Sequence, residues 1–503
     1  MSKRIDRFLA LLFVLALALA GPLPRHSSGA ANPQQANVAN SVAKSNARNA
    51  AIVAATTEVL KETSEIRELA VVRPVKSGAQ SRSEIERMLI KNLNEQMTAA
   101  QMHATELSLR KFGLAPNDFE YRSFMIKLLT EQVAGYYDPK AQEFYLADWL
   151  DLEGQKPVMA HELTHALQDQ HFNLRRFEKW PHGESDAELA VHSLVEGDAT
   201  LAMIIYMAKN PLVALAFSRS LTTGVATEQY DQAPRVMRES LIFPYREGSE
   251  WATQLYKRGG WTMVSNAFTK LPLSSEQILH AEKYFKYERP IKIVLPDVTN
   301  LLNAGSKQQA AISKQQSAVS TQRSSGTAGV SPALVRTGSV SDRVQRPLPC
   351  RRLPTAHRQL PTSSAWRRID SDVNGEWTYY LILDQFLNAP VESKRAAAGW
   401  GGDRYALYEG PNGQVFLAQV AVWDTENDAR EFFDAYVKRT ELRYPGATPL
   451  PSSVSTAPKA SEASRAWQTS EGEVVIELRG ARVLIVEGVP EGVDATVLLK
   501  ALW

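Results

Sequence analysis

The segment HELTHALQDQHF, which begins at His161, contains residue types that can bind a transition metal ion and use it. On a helix, residues four apart project from the same face, so His161 and His165 can present two imidazoles to one ion. Glu162 lies one position round the helix and can reach a water molecule beside that ion. A structural metal site needs no general base, so this spacing predicts a catalytic site.

The surrounding residues independently predict a helix. Pro157 suits a first turn, and Met159, Leu163 and Leu167 continue an apolar side opposite the two histidines. We therefore expect the motif on a half-buried helix.

Two residues compete to be the third ligand. His171 stands where HExxHxxGxxH, the metzincin arrangement, has its third histidine, but Gln168 occupies the position of the glycine that lets the chain turn back. In a continuous helix, His171 would lie about 240° round from His165, pointing away from the ion. The rival is Glu196. If the first helix runs to about Phe177 and the next returns antiparallel from Ser185, helical rise places Glu196 level with the histidines.

The motif and its surroundings resemble the gluzincin metallopeptidases of the thermolysin type, whose third ligand is a glutamate on the next helix. The stretches GYYDPKAQEFYL, LVEGDAT and FPYREGSEWATQLYKRGGW are also similar to secreted bacterial proteins predicted to be zinc peptidases, over roughly residues 122–284. The resemblance implies Zn²⁺ bound by His161, His165 and Glu196, with Glu162 as general base and Asp169 as a second acid that orients a histidine. One position departs from the gluzincin pattern, because Thr200 stands where an aspartate is expected.

A zinc peptidase also needs a group that stabilises the oxyanion, usually a tyrosine or histidine from elsewhere in the chain. The first candidate is His280, followed by Tyr284, Tyr245 and Tyr230. The sequence thus predicts a hydrolase acting on a peptide or protein substrate. The alternative is a non-catalytic envelope protein that keeps a metal ion for stability.

Composition limits the remaining classes. A net charge of +2 over 503 residues, without a basic and aromatic platform, gives no reason to expect nucleic acid as a partner. Lys3, Arg4 and Arg7 precede a short apolar run over residues 8–20, which predicts a signal peptide and a periplasmic or extracellular protein without a stable membrane span. With Cys350 as the single cysteine, no internal disulfide can form.

The sequence predicts an α+β protein in five segments. They are a signal peptide (1–20), a disordered N-terminus (21–50), a mostly helical metallopeptidase domain (51–302), a basic disordered linker or insert (303–370) and a small α+β domain (371–503). The linker prediction rests on composition, since residues 307–368 contain eleven Lys or Arg and one acid, Asp342. The apolar stretch Leu201 to Phe217 is interrupted at Pro211 and predicts a buried helix followed by a second helix rather than a membrane span.

Finer elements follow from local patterns. Helical spacing runs from Ile85 to Leu109, and Asp138-Pro139 between two β-prone runs predicts a hairpin over residues 133–148. That hairpin would offer an edge strand to an extended peptide. In the last domain, strands are predicted at 377–383, 403–409, 414–423, 474–479 and 482–487, and helices at 426–439 and 494–502.

Overall fold

The computed structural model describes residues 34–132, 134–224, 228–306, 365–451 and 462–503. Within these ranges the protein is α+β, as the sequence predicts, with a helical N-terminal region and a C-terminal region built on a large sheet. The signal-peptide prediction and most of the basic segment lie outside the described residues.

The N-terminal region begins with a long helix and a small sheet. Its first elements are α1 (Gln34–Arg67), β1 (Lys76–Gln80), α2 (Arg82–Gln96), α3 (Ala99–Lys111), α4 (Tyr121–Gln132), β2 (Gly135–Asp138) and β3 (Glu143–Ala147). The strands form a sheet of order β1-β3-β2, in which β2 and β3 are the predicted hairpin. The predicted helix over Ile85 to Leu109 is two helices, because Thr98 and Gln101 form a capping box that starts α3.

Helices then follow one another to the end of this region. They are α5 (Leu152–Phe172), α6 (Ser185–Lys209), α7 (Pro211–Gly224), the single turn α8 (Glu228–Asp231), α9 (Arg235–Ala267), α10 (Ser275–Leu279), α11 (Ala281–Lys286) and α12 over residues 299–306. Among the described helices, α6 alone is long and apolar enough to cross a membrane, but 83% of its apolar window is buried inside the protein. It is therefore the core helix that the sequence predicts, and α7 continues after the break at Asn210.

The C-terminal region consists of β4 (Arg367–Asp372), α13 (Gly375–Leu387), α14 (Pro390–Ala397), β5 (Trp400–Glu409), β6 (Val415–Trp423), α15 (Glu426–Arg443), β7 (Thr448–Pro449), β8 (Glu462–Thr469), β9 (Gly472–Arg479), β10 (Arg482–Val489) and α16 (Ala495–Leu502). The strands form one antiparallel sheet of order β4-β5-β6-β10-β9-β8-β7. Alternate residues of β5 face opposite sides of this sheet, with Tyr405 and Leu407 in one core and Ala406 and Tyr408 in another.

The two regions share one hydrophobic core. Buried residues of α1, α5, α6 and α9 belong to the same contiguous cluster as those of α13, α15 and one face of the large sheet. The other face is covered by α16 and by the segment containing Leu295, Val298 and Leu302, which the sequence assigns to the first domain. The C-terminal region is therefore packed against the helical region rather than tethered to it.

A carboxylate of the C-terminal region caps a helix across this junction, and a second carboxylate caps a helix within the helical region. The backbone N–H of Ser185, at the start of α6, donates to Asp372 of the C-terminal region. The backbone N–H of Ser275, at the start of α10, donates in turn to Asp186. Because these acceptors come from other elements, the start of α6 depends on the C-terminal region.

Three sequence-based assignments are wrong within the described residues. Residues 34–50 belong to α1 rather than to a disordered N-terminus. Residues 377–383 are helical, in α13, rather than a strand. The sequence pattern missed this helix because the whole segment from Gly375 to Asp384 is buried and so shows no amphipathic period. The predicted linker extends too far at both ends, since residues 303–306 are helical and β4 begins at Arg367.

Candidate metal centre

The HELTH motif lies in the middle of α5. Asp151 caps the helix by accepting the backbone N–H of Gly154, and Asn173 ends it in the left-handed conformation at φ 56°. The helix is more deeply buried than the sequence predicts, because α1, α6, α7 and β2 surround it. Both histidines are therefore held inside the protein rather than on a half-exposed face.

The structure brings the three predicted ligands together. His161 Nε2 lies 3.0 Å from Glu196 Oε2, His165 Nε2 lies 3.1 Å from His161 Nε2, and His165 Nε2 lies 3.3 Å from the same Glu196 oxygen. All three side chains are buried. Donors about 2.0–2.1 Å from a tetrahedral ion are about 3.3 Å apart, so this triangle has nearly the dimensions of one face of such a site. The His161–His165–Glu196 cluster could hold a metal ion.

A glycine contact sets the position of Glu196. Gly197, the next residue on α6, meets Gly248 of α9 so closely that a Cβ on Gly197 would lie 2.2 Å from the Gly248 carbonyl carbon and oxygen. Two helices can approach to this distance only without side chains between them. This contact also places Tyr245, one turn earlier on α9, beside the cluster. Its ring stacks on His161 with the centroids 5.8 Å apart.

Glu162 is held by the predicted hairpin. Its Oε2 accepts the backbone N–H of Tyr137 at 2.9 Å, and the side chain is almost fully buried. Burial raises the pKa of Glu162 to about 8, and the carboxylate of Glu196 adds to this rise. The ionised form of Glu162 is therefore a stronger base than an exposed glutamate carboxylate.

The hairpin is also expected to offer an edge strand to an extended peptide, and this role stays a prediction. β2 is an edge strand of the small sheet, and it lies beside α5. Residues Gly135 to Tyr137 are buried, however, and the N–H of Tyr137 is used by Glu162. In the described contacts this strand positions Glu162.

The residue that orients His165 is Gln168 rather than Asp169. His165 Nδ1 lies 2.8 Å from the Gln168 side-chain oxygen, and the Gln168 amide donates to Asp198 and to the Val195 carbonyl. Asp198 in turn forms a fully buried ion pair with Arg67 of α1. The histidine is therefore fixed by a neutral amide, and the acid behind it is balanced by an arginine.

Asp169 belongs to a neighbouring set of hydrogen bonds. It accepts from the Tyr137 hydroxyl at 3.0 Å, from Arg73 at 3.0 Å and from the backbone N–H of Leu174 at 3.1 Å. It therefore acts through Tyr137, whose backbone holds Glu162. The expected contact between Asp169 and a histidine is not among the described hydrogen bonds.

Other predicted residues lie away from the cluster. The exposed His171 pairs its Nε2 with the Ala70 carbonyl oxygen at 2.7 Å, so the metzincin alternative has no support in this geometry. His280 forms an ion pair with Glu376 of the C-terminal region at 2.9 Å, and Tyr284 donates to the Lys270 carbonyl. Neither of these contacts involves the cluster, whereas the candidate Tyr245 lies against it.

Burial strongly raises the pKa of Tyr245, and the carboxylates of Glu196 and Glu162 raise it further. The phenol is therefore protonated and able to donate a hydrogen bond. His192 also reaches the cluster, with Nε2 3.2 Å from Glu196 Oε1. Its position four residues before Glu196, on the same helical face, is the signal that could have identified it.

Comparisons with known proteins address a different part of the chain. The model of a domain of unknown function (DUF8575) matches residues 362–497, which form most of the C-terminal region. No curated protein and no solved structure matches the chain. The His161–His165–Glu196 cluster lies outside the matched residues.

Proposed function

We propose that this protein is an exported zinc metallopeptidase of the gluzincin type. The observation that carries the proposal is the convergence of His161, His165 and Glu196 on one point, beside a glutamate that is not part of the triangle. Catalytic zinc uses two histidines and a glutamate with one position left open, whereas structural zinc fills all four positions with protein. When bound there, zinc would polarise the substrate carbonyl and increase the acidity of a water molecule.

The chain's own residues supply the remaining steps. Glu162, held beside the cluster by the backbone N–H of Tyr137, accepts the proton of the attacking water and passes it to the leaving amine. Tyr245, which is protonated and lies beside the cluster, donates a hydrogen bond to the developing oxyanion. Tyr137 and Asp169 keep Glu162 in place through the Tyr137 backbone. These roles describe hydrolysis of a peptide bond.

The proposal is tested by Glu162→Gln, which keeps the shape of the side chain but removes the base. We expect cleavage of casein to fall by about 10²–10⁴-fold, with the zinc content unchanged. Glu153→Gln is a matched control, because Glu153 lies in the first turn of the same helix with 63% of its side chain exposed. Its activity should equal that of the wild type.

Two results would contradict the proposal. Equal casein cleavage by Glu162→Gln and the wild type would show that Glu162 is not the base. A wild-type protein that holds one zinc ion but hydrolyses neither casein nor peptides would instead favour the metal-stabilised, non-catalytic alternative.

A further inference from the structure

The two oxygens of Glu196 face different partners. Oε2 points to the two histidines of the HELTH motif, at 3.0 and 3.3 Å. Oε1 points to His192, one turn earlier on α6, at 3.2 Å. His192 is 6% exposed, and Glu196 is 1% exposed, so water does not compete freely for this contact.

The direction of this hydrogen bond follows from the acceptor. A carboxylate without a proton can only accept, so the Nε2–H of His192 must donate to Oε1. A carboxylate binds a metal ion only in its ionised form, so this direction holds whenever Glu196 acts as a ligand. One oxygen is thereby occupied by His192, and the other is directed at the histidine pair.

We propose that His192 is a positioning residue that makes Glu196 a single-oxygen metal ligand. The inference rests on the metal-binding part of the proposed function. A carboxylate free at both oxygens can bind an ion through both and so fill the position that a water molecule or substrate needs. With Oε1 tied to His192, only Oε2 can bind, and the open position is kept.

The test replaces the donor of His192 while measuring metal binding. His192→Phe keeps a ring of similar size without the N–H, His192→Leu is a smaller apolar replacement, and His192→Gln places an amide N–H near the position of Nε2. We measure the Zn²⁺ dissociation constant by competition with a chromophoric chelator and record the visible absorption of the Co²⁺-substituted protein. Four-coordinate Co²⁺ absorbs more strongly than five-coordinate Co²⁺, so this spectrum reports the loss of single-oxygen binding.

We expect His192→Phe and His192→Leu to bind Zn²⁺ about 10–100-fold more weakly and to show weaker Co²⁺ absorption. His192→Gln should restore most of both properties, which a purely space-filling role would not predict. His171→Ala is the matched histidine control and should leave both unchanged, because its ring contacts Ala70 on the protein surface.

Wild-type affinity and an unchanged Co²⁺ spectrum in both apolar variants would overturn the role of His192. Failure of His192→Gln to improve on His192→Phe would overturn the hydrogen-bond explanation. If the wild type binds metal but cleaves no peptide, the peptidase proposal fails while these dissociation constants still decide the role of His192. A wild-type protein that binds neither ion would overturn both proposals.

Discussion

Each region of the protein contains a buried cluster of ionisable side chains, and the two clusters balance their charges differently. In the C-terminal region, Glu487 accepts from Arg439 at 2.9 Å and from Tyr436 at 2.6 Å through Oε1, and from Arg443 at 2.8 Å through Oε2. Both oxygens are satisfied by side chains, and two of the donors are permanently charged.

In the helical region, the side-chain nitrogen and oxygen atoms of the His161–His165–Glu196 cluster face one another. Within the described residues, no Lys or Arg forms an ion pair with Glu196 or Glu162, and the buried Arg67 pairs with Asp198. Two imidazole nitrogens and a carboxylate oxygen therefore converge with no fixed positive charge between them.

The contrast separates a structural ion network from a candidate metal site. A buried carboxylate is stable only when paired or bound to a metal. Glu487 is paired by side chains of the protein itself, so adding or removing a metal ion should not change the stability of its cluster. The convergent histidines and Glu196 are arranged as a cation would require, so a bound metal ion should stabilise their cluster.

The largest expected effect comes from breaking the structural network. Arg439→Met removes one buried partner of Glu487 and should lower the free energy of unfolding by about 3–5 kcal/mol, with or without a metal chelator. Urea denaturation measures this. Arg395→Met is the control, since that side chain is 69% exposed in its pair with Glu431 and should cost less than about 1 kcal/mol. Equal stability of the two variants would refute the contrast.

Acid should weaken the same network. Burial opposes ionisation of Glu487, but Arg439, Arg443 and Lys111 outweigh it and lower its pKa to about 2. Because an unfolded glutamate titrates near about 4.3, this carboxylate stabilises the fold fully above that pH and loses its contribution as the pH falls toward 2, on the order of 3 kcal/mol. Unfolding measured across this range should lose part of its pH dependence in Glu487→Gln. An identical pH dependence in the variant would contradict the assignment.

Chelation should affect the other cluster alone. Removing an ion present at about 100 times its dissociation constant should lower the stability of the wild type by about 2.7 kcal/mol, and should not change that of Glu196→Ala. Thermal unfolding with and without chelator measures the difference. If Glu196→Ala loses as much stability as the wild type, the ion is bound elsewhere.

A smaller effect is expected where α6 meets α9. A Cβ at Gly248 would lie 2.3 Å from the Ser193 carbonyl oxygen, so Gly248→Ala must separate the helices and should cost about 1–3 kcal/mol. It should also weaken Zn²⁺ binding, because Glu196 moves with α6. Gly446→Ala is the control, since nothing lies within 4 Å of the added atom. Unchanged Zn²⁺ affinity in Gly248→Ala would show that the glycine contact does not position the ligand.

The convergence of His161, His165 and Glu196 could be predicted because helical geometry determines it. The spacing of His161 and His165 places both on one face, and the rise per residue brings Glu196 level with them although α5 ends at Phe172 rather than near Phe177. The residues that support the ligands could not be predicted, since Tyr137, Gln168 and Tyr245 act through contacts that only the packing of β2, α5 and α9 creates.

The fold shows the same division. Strands β5, β6, β9 and β10 were predictable from runs of β-prone residues bounded by turns. The segment WTYYLIL in α13 has the composition of a strand, but it forms a helix that is buried on all sides in the shared core. Hydrophobic periodicity cannot distinguish a helix from a strand in such a fully buried segment. The packing of the two regions into one core also could not be predicted, because it depends on contacts between residues distant in sequence.

The central claim is that the His161–His165–Glu196 cluster binds one zinc ion, and elemental analysis of the purified protein tests it most directly. The account predicts one zinc per chain in the wild type and in His171→Ala, and almost none in Glu196→Ala. Zinc retained by Glu196→Ala, or absent from the wild type after purification with zinc supplied, would contradict it.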